Sequence, residues 1–406
     1  MAEPLRVAFV NVPRRSWAGG HNYQRNLFLA LSRYQPGAIA PVLFAGMNES
    51  SDEIAAFSSI PDVEVALSPA FDSRVVGLLS ALAVGIDRAA AEQFRAQRID
   101  LVFESARFFG WRLPIPTIAW FPDLQHRRLP HLFPMAARFR RDLGFRIQIA
   151  SGRRIMLSST SALNDLRRYY PSPKNGVSVV HFATEPPLTM LAANPLDIIA
   201  RFGLPPNYFY LPNQFWRHKN HRVVIDALTI LKQRGVHAVV AASGSTDDPR
   251  EPGYFESMME QVRARGLSTN FRHLGMVPMD HVYALLRASI ALINPSEFEG
   301  WSTTVEEAKS FDVPMILSDI DVHREQTAGS ARYFGTKQPE LLAEHMSDML
   351  RSTGPVFGRN VQVNLDGRIG TFALDFVRLA REAVTQARNT TVGGQSGGRT
   401  HRNKRS

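Results

Sequence analysis

Two glutamates, Glu299 and Glu307, are separated by seven residues in the segment FEGWSTTVEEA, residues 298–308. The apolar run before them, residues 289–296, predicts a buried strand, the residues after them predict a helix, and residues 300–304 form the connecting loop. Unpaired amides at such a helix start, together with the helix dipole, attract a phosphate. Flanking carboxylates accept hydrogen bonds from sugar hydroxyls. The spacing therefore predicts a site that binds both ends of a sugar diphosphate.

The same residues also fit a purely structural role. Thr303 with Glu306, or Thr304 with Glu307, has the spacing of a capping box, in which side chains satisfy the free amides of a helix start. Glu299 would then be an ordinary surface acid. Spacing alone leaves both interpretations open.

The longer segment PSEFEGWSTTVEEAKSFDVPMILSD, residues 295–319, resembles the donor-site signature of family 4 glycosyltransferases. These are retaining enzymes with the GT-B fold, in which two Rossmann-like domains face each other across a cleft. The resemblance implies that Glu299 contacts the transferred sugar and that Glu307 holds the ribose. The loop between the two acids would add its free amides to the donor site, through Gly300, Trp301, Ser302 and Thr303, although the family commonly has a loop rich in glycine and proline here.

Length and composition limit the class of protein. The chain has 406 residues, 44% hydrophobic and 21% charged, which is typical of a globular protein with two domains. It contains no cysteine, which excludes disulfides, thiolate metal ligands and cysteine nucleophiles. The longest apolar stretch, residues 75–86, is far too short to span a membrane. The N-terminal residues lack the features of a signal peptide, and we expect a cytoplasmic protein.

Basic residues are unevenly distributed. The formal net charge is +10, and part of it lies in residues 389–406, which we expect to form a disordered basic tail. A second concentration, residues 138–154, predicts a helix whose charged face meets anionic lipid at the inner face of the cytoplasmic membrane, or a polyanionic glycan. A solvated helix face is the alternative. No nucleic-acid-binding motif accompanies the charge, and we expect no nucleic acid partner.

Short apolar runs alternate with amphipathic ones along the chain, which is typical of parallel sheets covered by helices. The series breaks at the proline-marked stretch EPPLTMLAANPLD and then restarts. The predicted fold class is therefore α/β, of the GT-B type that the resemblance implies. We expect an acceptor-side domain over residues 1–188, a nucleotide-sugar donor domain over 189–370, and a final helix, 371–388, that packs back toward the first domain.

Gly19 and Gly20 follow the first predicted strand, residues 7–12, and immediately precede a helix. Without side chains they let the backbone approach an anion or a sugar, and the resembling family has a glycine pair here, near the phosphate and the acceptor. A plain tight turn is the alternative. The dinucleotide fingerprint G-x-G-x-x-G is missing, which argues against a dehydrogenase.

Lys219 lies in a segment, residues 211–228, that resembles the start of the family's donor domain, where a lysine binds the diphosphate. Its ammonium would neutralise charge on the departing nucleotide. A surface lysine at a helix start is the alternative. The family often has an arginine five residues earlier, where this chain has Gln214, and Arg217 is the candidate replacement.

The segment 120–133 resembles a cleft loop found in some of these transferases. His126 matches a histidine that lies near the sugar in that loop. A neutral imidazole can form a hydrogen bond with a sugar hydroxyl, and Asp123 would orient it or engage the acceptor.

The acids Asp319 and Asp321 have the D-x-D spacing that binds a metal in another transferase architecture. We reject that interpretation because hard cations need more oxygen ligands than two such acids guarantee. The resembling family also uses this segment without metal, with Glu325 near its matching terminal acid. No zinc motif is present. We expect no metal and no cofactor, with the nucleotide-diphosphate sugar as a substrate.

We predict a retaining glycosyltransferase that moves a hexose, with mannose as a guess, from a nucleotide-diphosphate sugar to a glycan or lipid-linked acceptor in cell-surface polysaccharide synthesis. Two alternatives stay open. One is a nucleotide-sugar epimerase of the same fold, which added acceptor would distinguish. The other is a non-catalytic glycan- or nucleotide-binding subunit, which Gln214 and the unusual loop 300–304 favour.

Overall fold

The structure is a computed structural model that describes residues 3–105, 107–170, 176–248, 250–361 and 365–396. These residues form two α/β domains, each built on a parallel sheet. The prediction of two such domains is confirmed.

The first sheet contains seven strands in the order β3-β2-β1-β4-β5-β6-β7. These strands are β1 Leu5–Val10, β2 Ile39–Ala45, β3 Glu64–Leu67, β4 Leu101–Glu104, β5 Thr117–Phe121, β6 Arg154–Leu157 and β7 Val177–Val179. The helices that connect them are α1 Ala18–Tyr34, α2 Ser51–Ser58, α3 Arg74–Ala83, α4 Arg88–Ala96, α5 Gln125–Arg128, α6 Met135–Ala150 and α7 Thr160–Tyr169. Short 3-10 turns cover Pro69–Phe71 and Pro130–Leu132.

Two layers of helices enclose this sheet, so its central strands are buried on both faces and read as continuous apolar runs. On one face, Phe9 and Phe103 pack with α1 and α2. On the other face, Val102 packs with α4, and Phe121 packs against Phe145 of α6. Several of the helices begin at a side chain that accepts an amide hydrogen bond, as Ser159 does at α7, which fixes where they start.

The second sheet contains six strands in the order β10-β9-β8-β11-β12-β13. These strands are β8 Phe209–Leu211, β9 Val240–Ala242, β10 Phe271–His273, β11 Leu292–Asn294, β12 Met315–Ser318 and β13 Arg332–Phe334. The helices around it are α8 Pro195–Arg201, α9 His221–Gln233, α10 Tyr254–Ala264, α11 Met279–Ala288, α12 Thr303–Lys309, α13 Asp321–Thr327 and α14 Pro339–Ser352. Further 3-10 turns cover Leu188–Leu191 and Arg217–Lys219.

The last helix, α15 Leu365–Ser396, packs on the first sheet although it follows the second domain. Phe376 stacks on Phe9 with ring centroids 5.9 Å apart, within one core cluster. The helix starts before the predicted residue 371 because Leu365 and Ile369 extend its buried stripe. It also runs on to Ser396, into the segment expected to be a disordered tail. The rest of that tail, residues 397–406, lies outside the described residues.

Helix α6 covers most of the basic segment expected to be helical, and starts three residues earlier, at Met135. The apolar stretch 75–86 forms α3 and the turn after it. Across the described part of the chain, no helix combines the length and the apolar character that crossing a membrane requires.

Candidate active site

The carboxyl ends of β8 and β11 bring Lys219 and Glu299 together. Lys219 ends the 3-10 turn after β8, and Glu299 lies in the loop between β11 and α12. The Nζ of Lys219 donates a hydrogen bond to Oε1 of Glu299 over 2.6 Å, and the two side chains are 15% and 10% exposed. The contact is a charge-assisted hydrogen bond, which is shorter and stronger than one between neutral groups. The structure thus holds a fixed cation and a fixed anion at one edge of the second sheet.

The ionisation of Glu299 follows from its surroundings. Burial raises the pKa of its carboxyl, but Lys219, His323 and a hydrogen bond from Ser296 together lower the pKa to about 2. Glu299 is therefore a carboxylate at neutral pH.

A buried polar network orients Glu299. Ser296 Oγ lies 2.7 Å from Glu299 Oε1 and 2.7 Å from Asn294 Oδ1. Asn294 accepts a further hydrogen bond from Asn213, which follows β8, over 3.1 Å, and donates one to Ser302 over 2.9 Å. The network therefore ties together the loops that carry Lys219 and Glu299. These polar residues were missed from the sequence, although Asn294 and Ser296 flank a proline in the apolar run.

Glu307 contrasts with Glu299. It lies on α12, is 5% exposed, and its carboxyl group has no hydrogen-bond partner among the residues that the structure describes. Burial raises the pKa of Glu307 to about 8, because no nearby cation offsets the loss of water. The neighbouring Glu306 is paired instead, to Lys309 over 3.0 Å and to Arg368 over 2.6 Å. Of the two adjacent acids, Glu307 is thus the one with hydrogen-bonding capacity to spare for a ligand.

The start of α12 excludes the capping-box alternatives. Ser302, not a threonine, occupies the N-cap position, and its side chain accepts no amide hydrogen bond of the helix. Its own amide donates to Gln326 Oε1 over 3.0 Å. Thr303 is the first residue of α12 and is half-buried. Thr304 Oγ1 accepts a hydrogen bond from Asn294 over 3.2 Å. These side chains therefore brace the loop rather than cap the helix.

Gly300 lies at the contact between the domains. A Cβ at this position would be 2.3 Å from the carbonyl oxygen of Pro122 and 2.9 Å from Cβ of Asp123, both in the loop after β5. Only glycine permits this approach. Burial raises the pKa of Asp123, Glu299 adds to this effect, and a Gln125 amide and Lys219 oppose it. Asp123 thus lies within electrostatic range of the Lys219–Glu299 pair, on the opposite domain.

His126 does not join this pair. It is 1% exposed, its Nε2 lies 3.4 Å from the hydroxyl of Tyr170, and its ring meets Phe145 edge-on. Burial lowers its pKa to about 4, so the ring is neutral at pH 7. The side chain lies in the interior of the first domain, where it contacts Phe145 of α6 and Tyr170, the residue after α7.

Gly19 and Gly20 lie within the first turn of α1 rather than before it, which corrects the predicted position. A Cβ on Gly20 would fall 2.4 Å from the indole of Trp17, and that indole stacks on Trp120. The structure therefore explains Gly20 by the space that Trp17 needs. Asn11, at the end of β1, was missed: its side-chain amide is buried and unpartnered among the described residues, and a polar residue ending an apolar strand was the available signal.

Arg217 forms its ion pair outside the Lys219–Glu299 pair. Its side chain is 53% exposed and pairs with Glu251 over 3.2 Å. Arg250 takes the inward position: it pairs with Asp248 over 3.0 Å and donates across the cleft to Gln125 over 3.3 Å. A cleft of about 350 Å³ lies beside it, lined by His131, Leu132, Phe133, Pro134, Arg217, Asp248, Arg250 and Glu251.

Trp301 and Glu325 also connect the two domains. Trp301 stacks on His181 with ring centroids 4.5 Å apart and donates its Nε1 proton to the carbonyl of Phe182 over 2.9 Å. Glu325 accepts hydrogen bonds from the amide of Thr160, at the start of α7, over 2.7 Å and from His181. These contacts hold the loop 300–304 and α13 against the segment that follows the first sheet.

Asp319 and Asp321 do not converge. Asp319 forms two hydrogen bonds with Arg324, the second over 2.8 Å, while Asp321 lies 3.9 Å from Arg128. In the described part of the chain, no group of three or more histidines and acids is arranged to hold a metal ion. The expectation of a reaction without metal stays a prediction.

Comparison with known proteins adds to this geometry. Residues 199–356 match the family model of glycosyl transferases group 1. Most of the second domain is therefore similar to a group 1 glycosyltransferase domain. The match covers Lys219, Glu299 and Glu307, and it confirms the prediction of a transferase enzyme. No curated protein shows significant sequence similarity to the chain.

Solved structures resemble the whole chain. A glycosyltransferase from Rickettsia africae is 15% identical, with a TM-score of 0.67 over 95% of this chain and 99% of that one. HepE from Anabaena, in complex with UDP and glucose, is 14% identical, with a TM-score of 0.62 over 97% and 100%. Sucrose-phosphate synthase from Thermosynechococcus elongatus is 14% identical, with a TM-score of 0.60 over 97% and 100%. At these identities the likeness establishes the fold, and the predicted GT-B architecture is confirmed.

Proposed function

We propose that this protein is a retaining group 1 glycosyltransferase of family 4, and that it moves a hexose from a nucleotide-diphosphate sugar to a glycan or lipid-linked acceptor. One observation carries the proposal. Within the matched domain, an ionised Glu299 is held against Lys219, while Glu307 is buried with no partner among the described residues. A donor with an anionic centre and a hydroxyl-bearing sugar at each end fits this arrangement.

The donor would take over existing interactions. Lys219 now donates to Glu299, and a diphosphate placed beside it would share that ammonium. Glu299, fixed by Ser296, would then accept a hydroxyl of the transferred sugar. Glu307 would form hydrogen bonds with the ribose hydroxyls, which gives its buried carboxyl group the partners that it lacks. The UDP bound by HepE supports a nucleotide donor.

The proposed reaction needs no covalent intermediate with the protein. The bond between the anomeric carbon and the phosphate oxygen breaks, and the acceptor oxygen forms the new bond on the same face of the sugar. The acceptor proton passes to the departing phosphate oxygen, so the nucleoside diphosphate leaves with that proton. Lys219 stabilises the charge that develops on this oxygen. We propose that this cation suffices and that the reaction requires no added metal.

The acceptor would approach from the first domain. Asp123 lies opposite the Lys219–Glu299 pair and is the side chain we assign to the acceptor hydroxyl, with Asn11 as a second candidate. His126 would act as a positioning residue that supports α5 behind Asp123. The setting we propose is the assembly of cell-surface polysaccharide on the cytoplasmic side of the membrane.

The test is incubation of the full chain with UDP-, GDP- and ADP-hexoses, with and without acceptor glycans, followed by proton NMR of the anomeric signals. The proposal predicts acceptor-dependent release of one nucleoside diphosphate and a product with the anomeric configuration of the donor. Conversion of the donor without acceptor would instead identify an epimerase. Donor binding without any conversion would identify a non-catalytic subunit.

A further inference from the structure

Helix α6 has an unusual exposed surface. It spans 16 residues, and none of them is buried. Met135, Phe139 and Leu143 follow one another at intervals of four residues and therefore lie on one side of the helix. They are 83%, 69% and 44% exposed. A surface helix normally turns such residues toward the core.

The exposed stripe is surrounded by positive charge. Helix α6 contains four basic residues and one acid: the basic residues are Arg138, Arg140, Arg141 and Arg146, and the acid is Asp142. Asp142 forms ion pairs with Arg127 and Arg146. Arg138 and Arg140 make no ion pair within the described residues. The combination of large apolar residues with unpaired arginines on one helix is typical of a helix that lies in the interface of an anionic bilayer.

A second helix with exposed apolar side chains, α3, lies on the same side of the first sheet as α6. Phe94 of α4 and Phe145 of α6 cover the sheet face opposite α1 and α15, and α3 packs against α4 on that side. Helix α3 buries only its small residues, Gly77 and Ala81, so its large side chains face solvent. These exposed side chains are Val75, Val76, Leu78, Leu79 and Leu82.

We propose that α6 and α3 form one membrane-binding surface that docks this protein on an anionic phospholipid bilayer. The arginines of α6 would supply the attraction to phosphate headgroups, and the apolar residues of both helices would enter the acyl boundary. Phe133, just before α6, lies under the guanidinium of Arg250 from the second domain. The membrane-binding surface thus reaches the cleft, where an acceptor carried by a lipid would be presented.

The experiment is co-sedimentation of the full chain with vesicles of phosphatidylcholine alone or mixed with phosphatidylglycerol. We expect binding to the mixed vesicles, weakened by high salt. The double variant Phe139→Ser/Arg140→Gln should bind at least about tenfold more weakly, because it removes one anchor and one charge. Val76→Ser/Leu79→Ser on α3 should also weaken binding. Unchanged thermal unfolding would show that each variant still folds.

A matched control lies on the opposite face of the same domain. Leu374 and Arg381 are exposed on α15. The variant Leu374→Ser/Arg381→Gln therefore also removes one exposed apolar side chain and one arginine, and it should leave vesicle binding intact. Equal loss in the control and in the α6 variant would overturn the proposal, as would failure of the native chain to bind mixed vesicles.

The same experiments distinguish two alternatives to a bilayer bound by α6 and α3. If the protein is a dimer that Phe139→Ser converts to a monomer, a second copy covers the surface and the proposal is wrong. If deletion of residues 397–406 abolishes binding while the α6 variant binds normally, the basic tail is the anchor and the proposal is again wrong. The measurement detects lipid binding and not sugar transfer, so its failure leaves the proposed function standing.

Discussion

Lys219 Nζ lies 2.6 Å from Glu299 Oε1, so the cation proposed for the diphosphate and the acid proposed for the sugar are hydrogen-bonded to each other. Neither group can be removed without leaving the other charged and buried. The pair therefore contributes to folding as well as to the proposed reaction, and experiments on it must separate the two effects.

Changing Lys219 to Met should reduce both stability and turnover. It leaves the Glu299 carboxylate without its cation in a buried site, which costs about 3–5 kcal/mol. Loss of the charge that stabilises the leaving group should lower kcat by about 10²-fold or more. Chemical unfolding and steady-state kinetics check the two parts.

The double variant Lys219→Met/Glu299→Gln is the control for stability. It removes both charges, so the free energy of unfolding should recover most of the loss while turnover stays low. Recovery of turnover together with stability would contradict a catalytic role for the pair.

Changing Glu307 to Gln should stabilise the protein and weaken donor binding. The folded pKa of about 8 lies above the ordinary 4.5. Glu307 therefore destabilises the folded state by an amount that is zero below pH 4.5 and increases as the pH rises to about 8. The variant should thus gain on the order of 3 kcal/mol near pH 7, and little at pH 4.5. The Tm measured across this pH range checks the sign.

Glu306→Gln is the matched variant for Glu307. Glu306 is paired with Lys309 and Arg368, so its change should destabilise the protein and leave donor affinity nearly unchanged. If the two variants had the same effect on stability and on donor binding, the distinction drawn between these adjacent acids would be wrong.

Changing Gly300 to Ala should weaken the contact between the domains. The added methyl group would lie 2.3 Å from the carbonyl oxygen of Pro122, so the loop or the domains must shift. We expect kcat/KM to fall by about 10²-fold, as misplacement of reacting groups typically does. Gly367→Ala is the control, because a Cβ added at this position of α15 would meet no atom within 4 Å, and it should leave kinetics unchanged. Similar kinetics for both variants would contradict the account of Gly300.

Changing Asp123 to Asn should lower turnover far more than changing His126 to Phe. Asp123 lies within range of the Lys219–Glu299 pair, whereas His126 is buried among α5, α6 and α7. Because the pKa of His126 is lowered to about 4, stability is lost as the pH falls from about 6.5 toward 4. His126→Phe should reduce that loss. If His126→Phe lowered turnover more than Asp123→Asn did, this assignment would be wrong and His126 would be a substrate contact.

Chelation tests the proposed independence from metal. Dialysis against EDTA should leave the rate of transfer unchanged, because Lys219 supplies the charge at the leaving group. A rate that falls with EDTA and returns with added magnesium or manganese would show that the reaction uses a cation.

The architecture could be predicted well from the sequence because parallel sheets leave a strong pattern. Apolar runs such as residues 101–104 and 117–121 are buried on both faces. The turns between such runs are determined by residues that are adjacent in the sequence. The same local signal placed Glu299 and Glu307 on either side of a helix start, and the family match extends over both acids.

The finer features of the site depend on tertiary packing, which leaves no local signal. Nothing around His126 indicates that its short helix turns it inward, and nothing near Gly20 shows that the Trp17 indole occupies the space beside it. Likewise, only the fold reveals that Arg250, and not Arg217, points toward the first domain. Residues whose roles depend on packing between distant parts of the chain were thus missed or misplaced.

The most direct test of the central claim is calorimetric titration of the full chain with UDP-, GDP- and ADP-sugars, in parallel with Glu307→Ala and Gly367→Ala. We predict that one nucleotide sugar binds the native chain and Gly367→Ala equally, and that Glu307→Ala weakens this binding by about tenfold or more, because a buried ribose hydroxyl loses its acceptor. Binding of no nucleotide sugar by the folded chain, or equal binding by Glu307→Ala, would contradict the site proposed for this enzyme.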